Sequence, residues 1–184
     1  MYDIAHKLEL YVLYVLKKLG GATPLRIQKT LFIFNRAIGG DIEFFPYDYG
    51  PFSEDIAYAI EDLLVEGYIR EVYIDNKRFY IITPEGEKYV NQNIDKLYKK
   101  EILDALLSKT KELTDEELLF YVYTIFGYTE YSKVYNKLMK NKEKLVKSLY
   151  KKGLLSTQKA AEILGIPPEK FIIKKDRKNK NKIL

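Results

Sequence analysis

The sequence predicts a mainly α protein with a small β-hairpin, in which a winged helix-turn-helix is followed by a helical C-terminal module. Residues 44–83 carry most of that reading. They pass from a loop punctuated by Pro46, Gly50 and Pro51 into a helical period, and then into a period of two. Helix-start signals recur along the rest of the chain, at Thr23-Pro24, Thr83-Pro84, Thr114 and Ser156. Two helices, a third helix and then a hairpin is the element order of a winged helix.

The first helix is expected after Asp3 and runs to about Lys18, with Leu8, Val12, Val15 and Leu19 on its buried stripe and Gly20-Gly21 ending it. Thr23-Pro24, a cap followed by proline in the first turn, starts the second helix, which continues through Leu31 and Phe34 to Ile38. Ser53 is the natural N-cap of the third. Glu54 and Asp55 suit its positive end, and Ile56, Ile60, Leu63 and Leu64 share one apolar face that Gly67 terminates. Tyr68, Val72 and Ile74 then alternate up to a polar Asp75-Asn76-Lys77-Arg78 turn, and Phe79 to Ile82 complete a hairpin. Thr83-Pro84 predicts a single long helix to about residue 110, with Tyr89, Leu97, Ile102 and Leu106 inward. Thr114 and Glu117 form a capping box for a helix ending at Phe126-Gly127. Residues 137–153 read as one basic amphipathic helix with Leu145, Leu149 and Tyr150 inside. Ser156 caps a short helix holding Ala160, Ala161, Ile163 and Leu164, Gly165 breaks it, and Pro167-Pro168 begins another containing Phe171. Two short helices about a glycine turn are a helix-turn-helix signal.

The run YDYGPFSEDI, with KTLFIFNRA upstream and LLVEGYI downstream, resembles the SocA-like antitoxin domain, also called Panacea. Its pattern is a lysine-containing second helix, an aromatic-Gly-Pro turn, and a helix ending in glycine before the wing. The resemblance covers roughly residues 5 to 100. It implies toxin neutralisation, and for some members DNA binding. The stretch LYKKGLLSTQKAAEILGIPPEKF resembles a second family, the small VapB-like helix-turn-helix antitoxins.

With 184 residues the chain can bury roughly 70% of its extended surface, enough for a sizeable core without staples. The absence of cysteine removes disulfides and thiolate metal sites and agrees with a reducing compartment. No signal peptide is read. The most apolar N-terminal run, residues 8–16, is interrupted by Glu9, followed by Lys17 and Lys18, and far shorter than the ~20 apolar residues of a membrane span, so a cytoplasmic protein is expected. Net charge is +5, but it is unevenly placed. Residues 1–132 carry 15 Lys and Arg against 22 Asp and Glu, net −7, whereas residues 133–184 carry 16 against 4, net +12. A polyanion meets the C-terminal part first.

Chemistry is thinly represented. His6 is the single histidine, and sequence places neither a nucleophile nor an orienting acid beside it. Serine elbow, H-E-x-x-H, phosphate loop and dinucleotide fingerprint are all missing. Glu61, Asp62 and Glu66 read as a solvated face of the third helix rather than as a hard-cation site. No enzyme, no cofactor and no metal are therefore expected.

The third helix also carries five carboxylates and no Lys or Arg, which disfavours it as a groove reader, because phosphate attraction dominates affinity for DNA. The expected DNA surface is instead Lys147, Lys151, Lys152, Thr157, Gln158, Lys159 and Lys170, with Lys174 and Lys175 in a disordered tail and Lys77 and Arg78 at the wing. Phe45, Tyr47, Tyr49, Pro51 and Phe52 are the expected protein-binding residues, since aromatic side chains anchor contact centres. Five tyrosines between Tyr121 and Tyr135 offer either stacking surface or rigid filler. The expected organisation is a winged-helix domain at 1–84, a helical connector and dimer interface at 85–139, a basic helix-turn-helix module at 140–173 and a basic tail at 174–184. The expected partners are double-stranded DNA, a toxin or other protein, a second copy of the chain, and no membrane. A purely protein-binding module without DNA binding is the alternative.

Overall fold

A computed structural model of the chain describes residues 7–171, so His6, Lys174 and Lys175 lie outside the described residues. The elements run α1 (Leu8–Leu19), α2 (Pro24–Ile38), β1 (Phe45–Tyr47), β2 (Gly50–Phe52), α3 (Glu54–Val65), β3 (Ile69–Ile74), β4 (Lys77–Ile82), α4 (Pro84–Asn93), α5 (Lys100–Thr110), α6 (Asp115–Phe126), α7 (Tyr135–Lys140), α8 (Lys142–Lys151) and α9 (Thr157–Leu164). The molecule is mainly helical with two small antiparallel ribbons, β1–β2 and β3–β4. Among the described residues no helix is long and apolar enough to cross a membrane.

Thr23 and Thr114 cap as their sequences predict. Thr23 Oγ1 accepts from the Arg26 amide at 3.1 Å, and Thr114 exchanges both bonds of a capping box with Glu117. Ser53 does not cap. Its backbone amide and carbonyl are held by the Gln28 carboxamide at 2.9 and 2.8 Å, and its buried hydroxyl has no partner. Helix α1 is apolar on all sides rather than striped. Every residue from Leu10 to Leu16 is buried, which makes it a core helix.

Two hydrophobic cores meet at α2. Ile27, Leu31 and Phe34 join α1, α3, Tyr80, Val90, Leu97, Leu103 and Leu107 in the first core. Phe32 and Ile33 join α6, α8 and α9 in the second. Helix α2 is consequently buried without a gap from Ile27 to Asn35, polar residues included.

The aromatic stretch expected as a loop is a ribbon, with Phe45 opposite Phe52 and Tyr47 opposite Gly50. Gly50 has φ +79°, and a Cβ there would come within 2.6 Å of Tyr123 on α6, so glycine lets the ribbon lie flat against the second core. The second ribbon turns on Asp75 and Asn76 alone, at φ 48° and 60°, the geometry of a two-residue hairpin turn. Lys77 and Arg78 therefore belong to β4 and not to the turn. The long helix expected from Thr83 to about 110 is broken. A 3-10 turn at Ile94–Lys96 and Lys99 at φ +52° separate α4 from α5. The Tyr11 hydroxyl donates to the Tyr98 carbonyl at 3.1 Å and accepts from the Tyr98 amide at 2.9 Å, satisfying in the break what a helix would otherwise satisfy. The basic helix expected over 137–153 is likewise two helices, divided at Asn141. After α9, Gly165 takes φ +67° and residues 168–171 make one helical turn, its Phe171 edge-on to Tyr150 at 4.9 Å.

Candidate nucleic-acid interface

A helix presents residues at i, i+4, i+7 and i+11 along one face. Lys140, Lys144, Lys147 and Lys151 have that spacing, and they line one shallow depression of about 580 Å³ together with Asn141, Glu143 and Ser148. Lys147 donates to Glu143 at 2.5 Å, an exposed pair within one helix that costs water little to separate. Lys140, Lys144 and Lys151 have no ion pair among the described residues. The opposite side of this helix is apolar, and Leu145, Val146 and Leu149 bury it in the second core.

The other predicted residues are distributed unevenly. Lys151 belongs to the stripe, but Lys152 reaches across to the start of α6. Its ammonium donates to Glu117 Oε2 at 2.7 Å and to the Glu112 carbonyl at 3.0 Å. Glu117 also accepts from Ser148 at 2.5 Å and from the Thr114 amide at 2.8 Å. Burial alone would raise the Glu117 pKa, yet the bonds from Lys152, Ser148 and Thr114 outweigh it and hold the carboxyl below its usual value. Lys152 is thus a strap between α8 and the start of α6. Lys159 pairs with Glu162 at 2.8 Å, and the Thr157 hydroxyl lies 3.3 Å from that of Tyr150. Gln158 and Lys170 are exposed.

The acidic body keeps its own sign. Glu54, Asp55, Glu61, Asp62 and Glu66 are all exposed along α3 and just after it. Lys133 and Lys152 cross to acidic residues of the first 132 positions, Lys133 by a 2.5 Å pair with Asp48, whereas the stripe does not. Among the described residues no group of three or more histidines and carboxylates converges as a metal site would require.

The wing residues and the aromatic residues, expected in separate roles, come together. Lys77 and Arg78 line a pocket of about 450 Å³ with Tyr47, Tyr49, Gly50 and Phe52, walled on its other side by Pro24, Leu25 and Gln28 of α2. Phe45, Tyr47 and Phe52 pack ring to ring, with centroids 5.3 to 6.2 Å apart. Tyr47 and Tyr49 remain 51% and 49% exposed, so half of each ring is available. Pro51 is buried, and its carbonyl accepts from the Lys29 ammonium at 2.8 Å. Of the five tyrosines from 121 to 135, Tyr123 is buried and bonded to Ser132 at 2.6 Å, while Tyr131 is 80% exposed. Sequence reasoning does not single out Lys29 as a functional group. The local signal is weak, since Arg26, Gln28 and Thr30 stand beside it among the apolar residues of α2, and only packing on both sides of that helix buries the amine.

No family profile matches the chain, and no curated protein matches it.

Proposed function

We propose that the protein is a non-catalytic DNA-binding regulator of antitoxin type. The observation that carries this reading is the stripe of Lys140, Lys144, Lys147 and Lys151, which faces one depression and, among the described residues, makes no pair with the acidic body. Four cations around one depression, Lys140 at the end of α7 and three along α8, suit the phosphates of a duplex, and contacts of this kind supply the sequence-independent part of DNA affinity. Residues on and beside α9, with Thr157, Gln158 and Lys159 at its start, are the candidates for base edges. In this reading α1, α2, α3 and the β3–β4 ribbon form the winged helix-turn-helix of the N-terminal part, used for protein contacts because α3 is acidic. A homodimer would present two lysine stripes, which is the usual way to gain sufficient contacts. Val90, Leu103 and Leu107 of α4 and α5 are buried in the chain's own core, so a dimer through these helices would use their outward residues.

Deleting residues 140–184 would strip the second core of α8 and α9, so a charge substitution is the cleaner test. The full chain should retain a fluorescent duplex of mixed sequence at low salt. Replacing Lys140, Lys144, Lys147 and Lys151 by serine should weaken retention at least about tenfold, as expected for the loss of several phosphate contacts. Equal affinity in the quadruple variant would overturn the reading. The alternative, a purely protein-binding module, is favoured by the exposed Phe45 and Tyr47, packed on the half-buried Phe52, and expects no duplex retention by either form.

A further inference from the structure

Lys29 is 2% exposed, yet it lines the floor of the pocket between α2 and the two ribbons. An ammonium has three donors, and Lys29 uses one, on the Pro51 carbonyl at 2.8 Å. Among the described residues it is bonded to no carboxylate. The two acidic residues of the lining are engaged elsewhere. Asp48 pairs with Lys133 at 2.5 Å, and Asp115 pairs with Arg26 at 2.9 Å while accepting from the Thr23 hydroxyl at 2.5 Å. At the rim, Lys77 has no ion pair among the described residues, and Arg78 has a long one, 3.6 Å to Glu71. The pocket therefore gathers three basic side chains that are not paired with the acids of its lining, inside a part of the chain that is net negative. Its walls are aromatic, from Tyr47, Tyr49 and Phe52. A volume of about 450 Å³ is in the range of small-molecule sites.

We propose that this pocket binds a small organic anion built on a flat ring, its charged group held by Lys29, Lys77 and Arg78 and its ring against Tyr47, Tyr49 and Phe52. Charge-assisted hydrogen bonds hold an anion more strongly than neutral ones, and ring faces give the remaining contact area without a large entropy cost. A mononucleotide and an aromatic carboxylate share this chemistry. Burial lowers the Lys29 pKa to about 7, so above that pH the free pocket holds a largely neutral amine. An incoming anion favours the ammonium, and binding at pH 8 takes up protons. The other charged or titratable groups of the lining are Tyr47, Asp48, Tyr49, Lys77, Arg78 and Asp115.

Titration calorimetry of the full chain at pH 8, in two buffers of different ionisation enthalpy, tests this with adenosine monophosphate and 4-hydroxybenzoate as probes. Adenosine, phenol and inorganic phosphate serve as counterparts that lack either the charge or the ring. At least one ring anion should bind with Kd below about 1 mM, and its counterparts at least about tenfold more weakly. Binding of the nucleotide alone assigns the phosphate source, and binding of 4-hydroxybenzoate alone assigns the carboxylate. Lys29→Met should weaken binding about tenfold or more and abolish proton uptake. The double variant Lys77→Ser, Arg78→Ser, confined to the exposed rim, should weaken it to a similar degree without disturbing the fold. Failure of both probes to bind overturns the proposal, as does unchanged affinity in the rim variant.

Discussion

An ammonium withdrawn from water loses the hydration that stabilises its charge, and Lys29 shows the consequence in a pKa brought down from 10.5 to about 7. Between those two values the unfolded chain binds more protons than the folded one, so stability rises with pH across that interval. Below pH 7 the cost of charging the buried amine is present in full. Tyr11, Tyr80 and Tyr123, raised by burial, act in the opposite direction only above about pH 10, the ordinary range of tyrosine ionisation. The clean window is pH 7 to 9. There, urea unfolding should show stability increasing by about 1 kcal/mol per pH unit. In Lys29→Met that slope should be lost, and an unchanged slope would show that Lys29 is hydrated. Asp104 governs the acid side. Burial would raise its pKa, but bonds from Lys100, Tyr14 and Lys18 hold it at about 2, so its contribution is present above the unfolded value of 3.8 and lost as pH falls toward 2.

The division of residues 84–110 into α4 and α5 shows what an element owes to its neighbours. Nothing local stops the helix at Asn93 as firmly as a Gly or Pro would, and the break depends on one hydroxyl, that of Tyr11, which occupies both peptide groups of Tyr98. Tyr11→Phe should remove both of its bonds to the part-buried Tyr98 backbone and cost about 1–3 kcal/mol in urea unfolding, with the Tyr98 amide losing hydrogen-exchange protection. A change within error would mean that water reaches the break. Much of the helical plan was legible because caps are local. Thr23-Pro24, Thr83-Pro84 and the Thr114 to Glu117 box each lie within a few residues and contain their own reason to start a helix. Ser53 was legible as a position and misread as a bond, because Gln28, far along the chain, already holds its backbone. The aromatic ribbon was hidden for a similar reason, since three-residue strands have too little alternation to see and Gly50 is explained only by Tyr123 across the fold. Of the candidate site, the lysines at helical spacing could be read directly. The turn of Lys152 toward Glu117, and the meeting of Lys77 and Arg78 with Tyr47 and Tyr49, are long-range packing and could not.

Across the whole molecule, α2 joins the two cores, and the sign of the surface changes between the parts they support. Helix α3 and Glu66 just after it display five carboxylates from the first core, and α7 and α8 display the lysine stripe from the second. Two pairs, Lys133 with Asp48 and Lys152 with Glu117, tie the cationic part to the anionic one and leave the stripe intact. An acidic body beside a basic face orients an approaching duplex as well as attracting it, since the wrong side repels. The measurement that tests this most directly is the salt dependence of duplex binding, read as the slope of log K against log salt concentration. Each phosphate neutralised contributes about −0.9 to that slope, so the full chain should bind with a steep negative slope and the Lys140, Lys144, Lys147 and Lys151 to serine variant with one shallower by about 3 to 4. A variant with the same slope as the full chain would contradict the assignment of the stripe to DNA.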